Sequence, residues 1–211
     1  IDREALVDSV YGELALVATG LVPPPIPGYR RDACGPRCSR DLGRARALVS
    51  TLSGDELTLD FSDSAVGQQL ASALASQLDE VGLSVRPRPH DDESFATLIR
   101  DGRQELFCFV WVGDYPRQQA FLEPLLRSDS PDNHTRLEDA RIDRILERAR
   151  AEPDPTAREE RYRQVERLAL QRAPLFPIAW FRSRLAVQDY VGGFVLDPLG
   201  GFDVSHLSIG R

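Results

Sequence analysis

Leu57-Thr58-Leu59-Asp60-Phe61 alternates apolar and polar positions, as a half-buried strand does. Downstream, Leu70, Leu74, Leu78 and Val81 recur at helical spacing within residues 65–81, and Gly82 follows where a helix commonly ends on a left-handed residue. Leu83-Ser84-Val85-Arg86-Pro87 then reads as a second strand. A strand, a helix and a strand in this order predict a crossover unit that lays the two strands side by side and parallel.

Working outward toward the C-terminus, Asp92 reads as the cap of a helix extending to Arg100, with Phe95, Leu98 and Ile99 apolar and Asp101-Gly102 ending it. Residues 105–111 form an almost continuous apolar run, which predicts a strand buried on both faces. A second crossover unit results, so the expected fold class is α/β with a mostly parallel central sheet flanked by helices. Residues 138–150 place Ile142, Ile145, Leu146 and Ala149 on one helical stripe. Asp154-Pro155 is a helix start, and that helix is expected to end at Arg172. Two strands are expected at 176–180 and 185–188, followed by a loop-rich tail. Upstream, residues 3–12 and 41–52 read as short helices, the second with Leu42, Ala45, Leu48 and Val49 inward. The stretch Leu21-Val22-Pro23-Pro24-Pro25-Ile26-Pro27-Gly28-Tyr29 is too proline-rich for a helix or a central strand and too apolar for a flexible linker. It is expected to pack along the surface as an extended loop.

Composition narrows the function classes. The chain has 211 residues, 42% hydrophobic and 28% charged, which suits one large domain with a substantial core. No run of apolar residues is long enough for a transmembrane helix. The formal charge is −7, and all 26 basic residues are arginines dispersed among acids, so no concentrated basic face is offered to nucleic acid. Methionine is absent even at position 1, which leads us to expect a processed or excised part of a longer polypeptide.

The reactive residues are few. His90, His134 and His206 are isolated, and no second cysteine pair accompanies Cys34 and Cys38, so neither a metal site nor a cofactor is expected. Asp203, Ser205 and His206 have the residue types of a hydrolytic triad but are too close in sequence to converge. No enzymatic constellation stands out. Gly35-Pro36 between Cys34 and Cys38 favours a tight turn that could bring the sulfurs together. A local disulfide is favoured over two free thiols and would imply an oxidising compartment. Cys108 lies in the apolar run and reads as a core thiol.

Four segments in order along the chain resemble the C-terminal lobe of the family 5 extracellular solute-binding proteins, the peptide and nickel receptors of ABC importers. They are Ile1-Asp2-Arg3-Glu4-Ala5-Leu6-Val7-Asp8 with Ala18-Thr19-Gly20-Leu21-Val22-Pro23-Pro24; Gln77-Leu78-Asp79-Glu80-Val81-Gly82-Leu83-Ser84-Val85; Trp111-Val112-Gly113-Asp114-Tyr115-Pro116; and Val191-Gly192-Gly193-Phe194-Val195-Leu196-Asp197-Pro198-Leu199-Gly200. The resemblance implies one lobe of a type II periplasmic-binding-protein fold spanning residues 1–211, with 191–211 a return segment and the N-terminal lobe outside this chain.

It also implies a substrate-binding component that holds a peptide or other small solute and docks on an ABC permease. Such a receptor is extracytoplasmic, often anchored by a lipidated N-terminus. An intracellular regulatory module that keeps the fold is the alternative. In peptide-binding members the aspartate of W-x-x-D pairs with the ligand's α-ammonium, which here is Asp114. Trp111 would offer an apolar wall and an indole donor, and Gly113 room for close approach. Tyr115 lies beside them, with Phe61 and Ser62 at the end of the first strand as further candidate contacts. Two departures matter. Arg117 stands where many relatives carry an acid, and Phe61-Ser62-Asp63-Ser64 lacks the arginine that strict dipeptide binders use for the ligand carboxylate.

Overall fold

The computed structural model describes residues 1–52 and 56–210. In chain order the elements are α1 (Arg3–Tyr11), β1 (Ala15–Val17), α2 (Leu42–Val49), β2 (Leu57–Ser62), α3 (Ala65–Asp79), β3 (Val85–His90), α4 (Asp92–Asp101), β4 (Leu106–Phe107), α5 (Gln119–Leu126), α6 (Ala140–Ala151), α7 (Pro155–Arg172), β5 (Ala179–Phe181), β6 (Val191–Gly192) and β7 (Ser208–Ile209).

The central sheet has the order β3-β2-β4 and is parallel throughout. Register runs from Leu57 opposite Val85 to Ser62 opposite His90, and Leu59 opposite Leu106. Alternation along β2 assigns its faces. Leu59 and Phe61 join Val85, Leu70, Ala71, Leu74 and Leu6 in one buried cluster, so α3 and α1 cover that face. Asp60 points the other way, toward α4, whose Phe95 lies beside His90. Side-chain caps set the helix starts: Asp2, Asp41, Ser64, Asp91, Asp139 and Asp154 each accept a backbone N–H from the first turn. Gly82, at φ +85°, ends the turn after α3.

A second buried cluster joins α5, α6 and α7 through Leu122, Leu126, Ile142, Leu146 and Val165. Val22 and Ile26 of the Pro-rich stretch belong to it, at 1% and 2% exposure. Residues 21–29 are therefore part of the core wall and more than a surface strap. Glu166 of α7, fully buried, secures their start by accepting the N–H groups of Leu21 at 2.8 Å and Val22 at 3.1 Å. Burial pushes the Glu166 carboxyl above its ordinary range, against the opposing pull of those two N–H groups and of Arg30 and Arg167.

Several expectations are corrected. The apolar run 105–111 is a strand only at Leu106–Phe107, and its side chains are half-buried. One more ladder bond, Cys108 N–H to Asp60 O at 3.0 Å, precedes the departure from the sheet. The run is apolar because it serves two cores: Leu106 and Cys108 pack on the sheet cluster, Phe109 and Trp111 on the helical one. Cys108 is accordingly half-buried, with its thiol pushed up to about 11 by burial. Asp91, not Asp92, caps α4, because it is Asp91 that accepts the Ser94 N–H. Leu48 of α2 is 59% exposed, so that helix buries less than its stripe suggests. The strand expected at 176–180 is shifted to Ala179–Phe181, paired antiparallel with β1, and 185–188 is exposed chain without a strand. β6 and β7 form a separate two-stranded antiparallel ladder in the tail.

Candidate ligand-binding loop

Residues 111–118 follow β4, which ends at Phe107, on the C-terminal side of the parallel sheet, the side where open α/β folds place their ligands. The loop is folded back over the start of α5. Trp111 donates its indole N–H to the Ala120 carbonyl at 2.8 Å and packs on the helical core. Gly113 is buried against Phe121; a Cβ there would lie 2.7 Å from the ring. Gln118 is 3% exposed and donates to the Gly28 carbonyl at 3.3 Å. These three contacts hold a tip made of Asp114, Tyr115, Pro116 and Arg117, all exposed. Arg117 N–H closes a turn onto the Tyr115 carbonyl at 2.8 Å.

Among the described residues, the Asp114 carboxylate has no hydrogen-bond or ion-pair partner, and it faces solvent on a loop fixed from behind. Tyr115 is 40% exposed. Burial and the Glu123 and Asp114 carboxylates raise its phenol, against Arg150 and Arg117. Behind it Glu123 is buried, accepting the Tyr162 hydroxyl at 2.8 Å and pairing with Arg150.

The two candidates on β2 fare differently. Phe61 is 3% exposed and packed in the sheet core, so strand alternation turns its ring away from any solute. Ser62 is half-buried and donates its hydroxyl to Asp92. The structure thus brings Trp111, Gly113, Asp114 and Tyr115 together and leaves Phe61 out. Cys34 and Cys38 are bonded across a 3-10 turn at Gly35–Cys38, with Cα atoms 5.6 Å apart. Cys34 N–H reaches Thr19 O at 2.8 Å, and Arg3 Nη2 reaches Cys38 O at 2.9 Å.

One functional-looking group escaped the sequence. Asp60, fully buried, accepts Arg88 Nε at 2.6 Å and Nη2 at 3.1 Å and lies 2.7 Å from His90 Nε2. Burial alone would raise its carboxyl, but the Arg88 and His90 hydrogen bonds outweigh it and hold the group below its ordinary range. A polar residue between Leu59 and Phe61, facing Arg88 and His90 two apart on the next strand, was the available signal. The concavity beside it, about 360 Å³ and lined by His90, Glu93, Ser94, Thr97, Leu98 and Arg103, does not reach Trp111 or Asp114.

Residues 1–133 match the family described as bacterial extracellular solute-binding proteins, family 5 Middle. The chain belongs to that family. Curated relatives match along nearly all of it. The probable deoxycholate-binding periplasmic protein YgiS of Escherichia coli (strain K12) is 29% identical over 205 residues, 93% of this chain and 38% of YgiS. Di/tripeptide-binding protein 4 of Pseudomonas aeruginosa (strain UCBPP-PA14) is 26% identical over 218 residues, 98% of this chain and 40% of that protein. The chain therefore spans about two fifths of the length of these curated relatives. In three dimensions it resembles the Escherichia coli murein tripeptide binding protein MppA, with a TM-score of 0.84 at 23% identity, covering 100% of this chain and 43% of MppA. The α/β fold seen here, a parallel sheet flanked by helices, is that of a periplasmic-binding-protein lobe.

Proposed function

We propose that these residues are the C-terminal lobe of an extracytoplasmic substrate-binding component of an ABC importer for peptides, supplying one half of a ligand cleft. The observation that carries this reading is the unpartnered Asp114 carboxylate, exposed on a loop held rigidly by Trp111, Gly113 and Gln118. An unpartnered carboxylate on an anchored loop suits the α-ammonium of a peptide, and closure of a second lobe over it would strengthen the pair by excluding water. Tyr115 stands beside Asp114 in the same loop, and Ser62 ends β2. Residues 191–211 would return toward the other lobe. Their apolar side chains support such a partner: Val195 is 73% exposed, Val204 70% and Ile209 81%. The Cys34–Cys38 bond favours an oxidising compartment over an intracellular regulatory role.

Isothermal titration of the full-length protein against free and N-acetylated peptides, with deoxycholate in parallel, tests this. Free peptides should bind and acetylated ones should not. Asp114→Ala should weaken peptide binding about thirtyfold or more. Equal binding of acetylated peptides, or binding of deoxycholate alone, would refute the peptide assignment.

A further inference from the structure

Helix α5 carries Pro124 in its interior, six residues into an eight-residue helix. A residue at that position ordinarily donates its backbone N–H to the carbonyl four residues earlier, which is Ala120. Proline has no N–H, and its ring crowds that same carbonyl. Proline is the least favourable of the residues inside a helix. Yet the freed carbonyl is used. Ala120 is 3% exposed, so water is a poor substitute partner, and its oxygen accepts the Trp111 indole N–H at 2.8 Å. The bond spans the loop that carries Gly113, Asp114 and Tyr115, so it fixes both the tryptophan ring and the exit of the loop from the sheet.

We propose that Pro124 is a positioning residue for the ligand loop: by withholding a helical N–H it reserves the Ala120 carbonyl for Trp111. The binding consequence rests on the peptide-receptor reading above; the positioning itself does not. An alanine at 124 would supply a competing N–H from within the helix and draw the carbonyl back to the helix axis. The helix would gain while the indole, now sharing that oxygen with an N–H on the helix axis, held a longer and weaker bond. This opposition separates positioning from a merely structural role, because a purely structural proline would change stability alone.

The experiment uses the full-length protein with ¹⁵N-labelled tryptophan, comparing wild type, Pro124→Ala, Trp111→Phe and the double variant. Within these 211 residues there are two tryptophans, so Trp180 serves as the internal control. Expected for Pro124→Ala are unchanged or higher unfolding temperature, a shifted and faster-exchanging Trp111 indole signal, an unmoved Trp180 signal, and peptide affinity lower by about three- to tenfold. In the Trp111→Phe background, Pro124→Ala should cost no further affinity. An unchanged Trp111 indole signal in Pro124→Ala would overturn the proposal. So would a Pro124→Ala protein that fails to fold, since the helix must gain from the restored N–H. If wild type binds no peptide, the receptor reading fails, and the indole signal still decides the positioning.

Discussion

Gln118 and Gly28 lock two loops together. The Gln118 side-chain N–H reaches the Gly28 carbonyl at 3.3 Å, and Arg163 Nε–H donates to the same oxygen at 3.3 Å. Gly28 sits at φ +87°, and a Cβ there would fall 2.2 Å from Gln118 Cδ. Gly28→Ala therefore meets both backbone strain and a clash, and should destabilise by about 1–3 kcal/mol. Combining it with Gln118→Ala opens the space and should recover part of that loss. Urea unfolding of the two single variants and the double checks this; simple additivity of the two losses would show that the contact is not the cause.

Gly113 and Phe121 form a similar close pair one turn away. Gly113→Ala should cost about 1–3 kcal/mol by overpacking, and Phe121→Leu in the same chain should return some of it by removing the ring edge. Chemical denaturation reads the stability, and tryptophan fluorescence reports whether Trp111 has been displaced. A neutral Gly113→Ala would mean that the loop yields more easily than its contacts imply.

Asp60 and Glu166 should give opposite pH signatures. Asp60 is held below its ordinary value of 3.8, so its contribution is fully present above that value and is lost as the pH falls through its depressed folded pKa. Asp60→Asn should be strongly destabilised near neutrality, and the deficit should shrink in acid. Glu166 is raised above its ordinary 4.5, so its contribution is present below that value and is lost as the pH rises through the folded pKa. Glu166→Gln, which keeps an acceptor for Leu21 and Val22, should gain on wild type as the pH rises. Thermal unfolding of both variants between about pH 3 and pH 8 measures the two differences. Parallel profiles would contradict the assignment.

The three cysteines should separate by chemistry. Alkylation of unreduced, denatured protein followed by peptide mapping should label Cys108 and leave Cys34 and Cys38 unlabelled. In the native state, Cys108 should react slowly at neutral pH, because burial pushes its thiol up to about 11 and little thiolate is present. Labelling of all three without reductant would argue against the bond.

The α/β class and the parallel unit were legible because β2, α3 and β3 each carry their own period and Gly82 marks the turn between them. Helix α6 announces itself through the stripe of Ile142, Ile145, Leu146 and Ala149, and α7 through Asp154 and Pro155. Helix α5 was not legible: it is short, mostly apolar and contains Pro124, which reads as a breaker unless the partner for Ala120 O is known. The run 105–111 misled because apolar continuity looks the same whether a chain sits inside one sheet or bridges two cores. At the site, Trp111, Gly113 and Asp114 were nominated by the resemblance of Trp111-Val112-Gly113-Asp114 to the W-x-x-D segment of family 5 receptors. Phe61 was misassigned because strand register, not residue type, decides which face of β2 it occupies. Gln118 depends on a contact across 90 residues of chain, which no local pattern records, and the Asp60 cluster becomes legible only once β2 and β3 are set in register.

The tail has a practical consequence. The β6–β7 pair and the β1–β5 pair are two-stranded ladders of two and three residues per strand, and Leu14, Phe181, Leu185, Tyr190 and Ile209 around them are more than half exposed. Such ladders are marginal on their own, and their open edges can pair with other chains. Produced by themselves, these 211 residues should behave as a sticky colloid: retained on hydrophobic resin, driven to self-associate by sulfate, and kept dispersed chiefly by a net charge of −7. Detergent or low salt is the handling that this surface calls for.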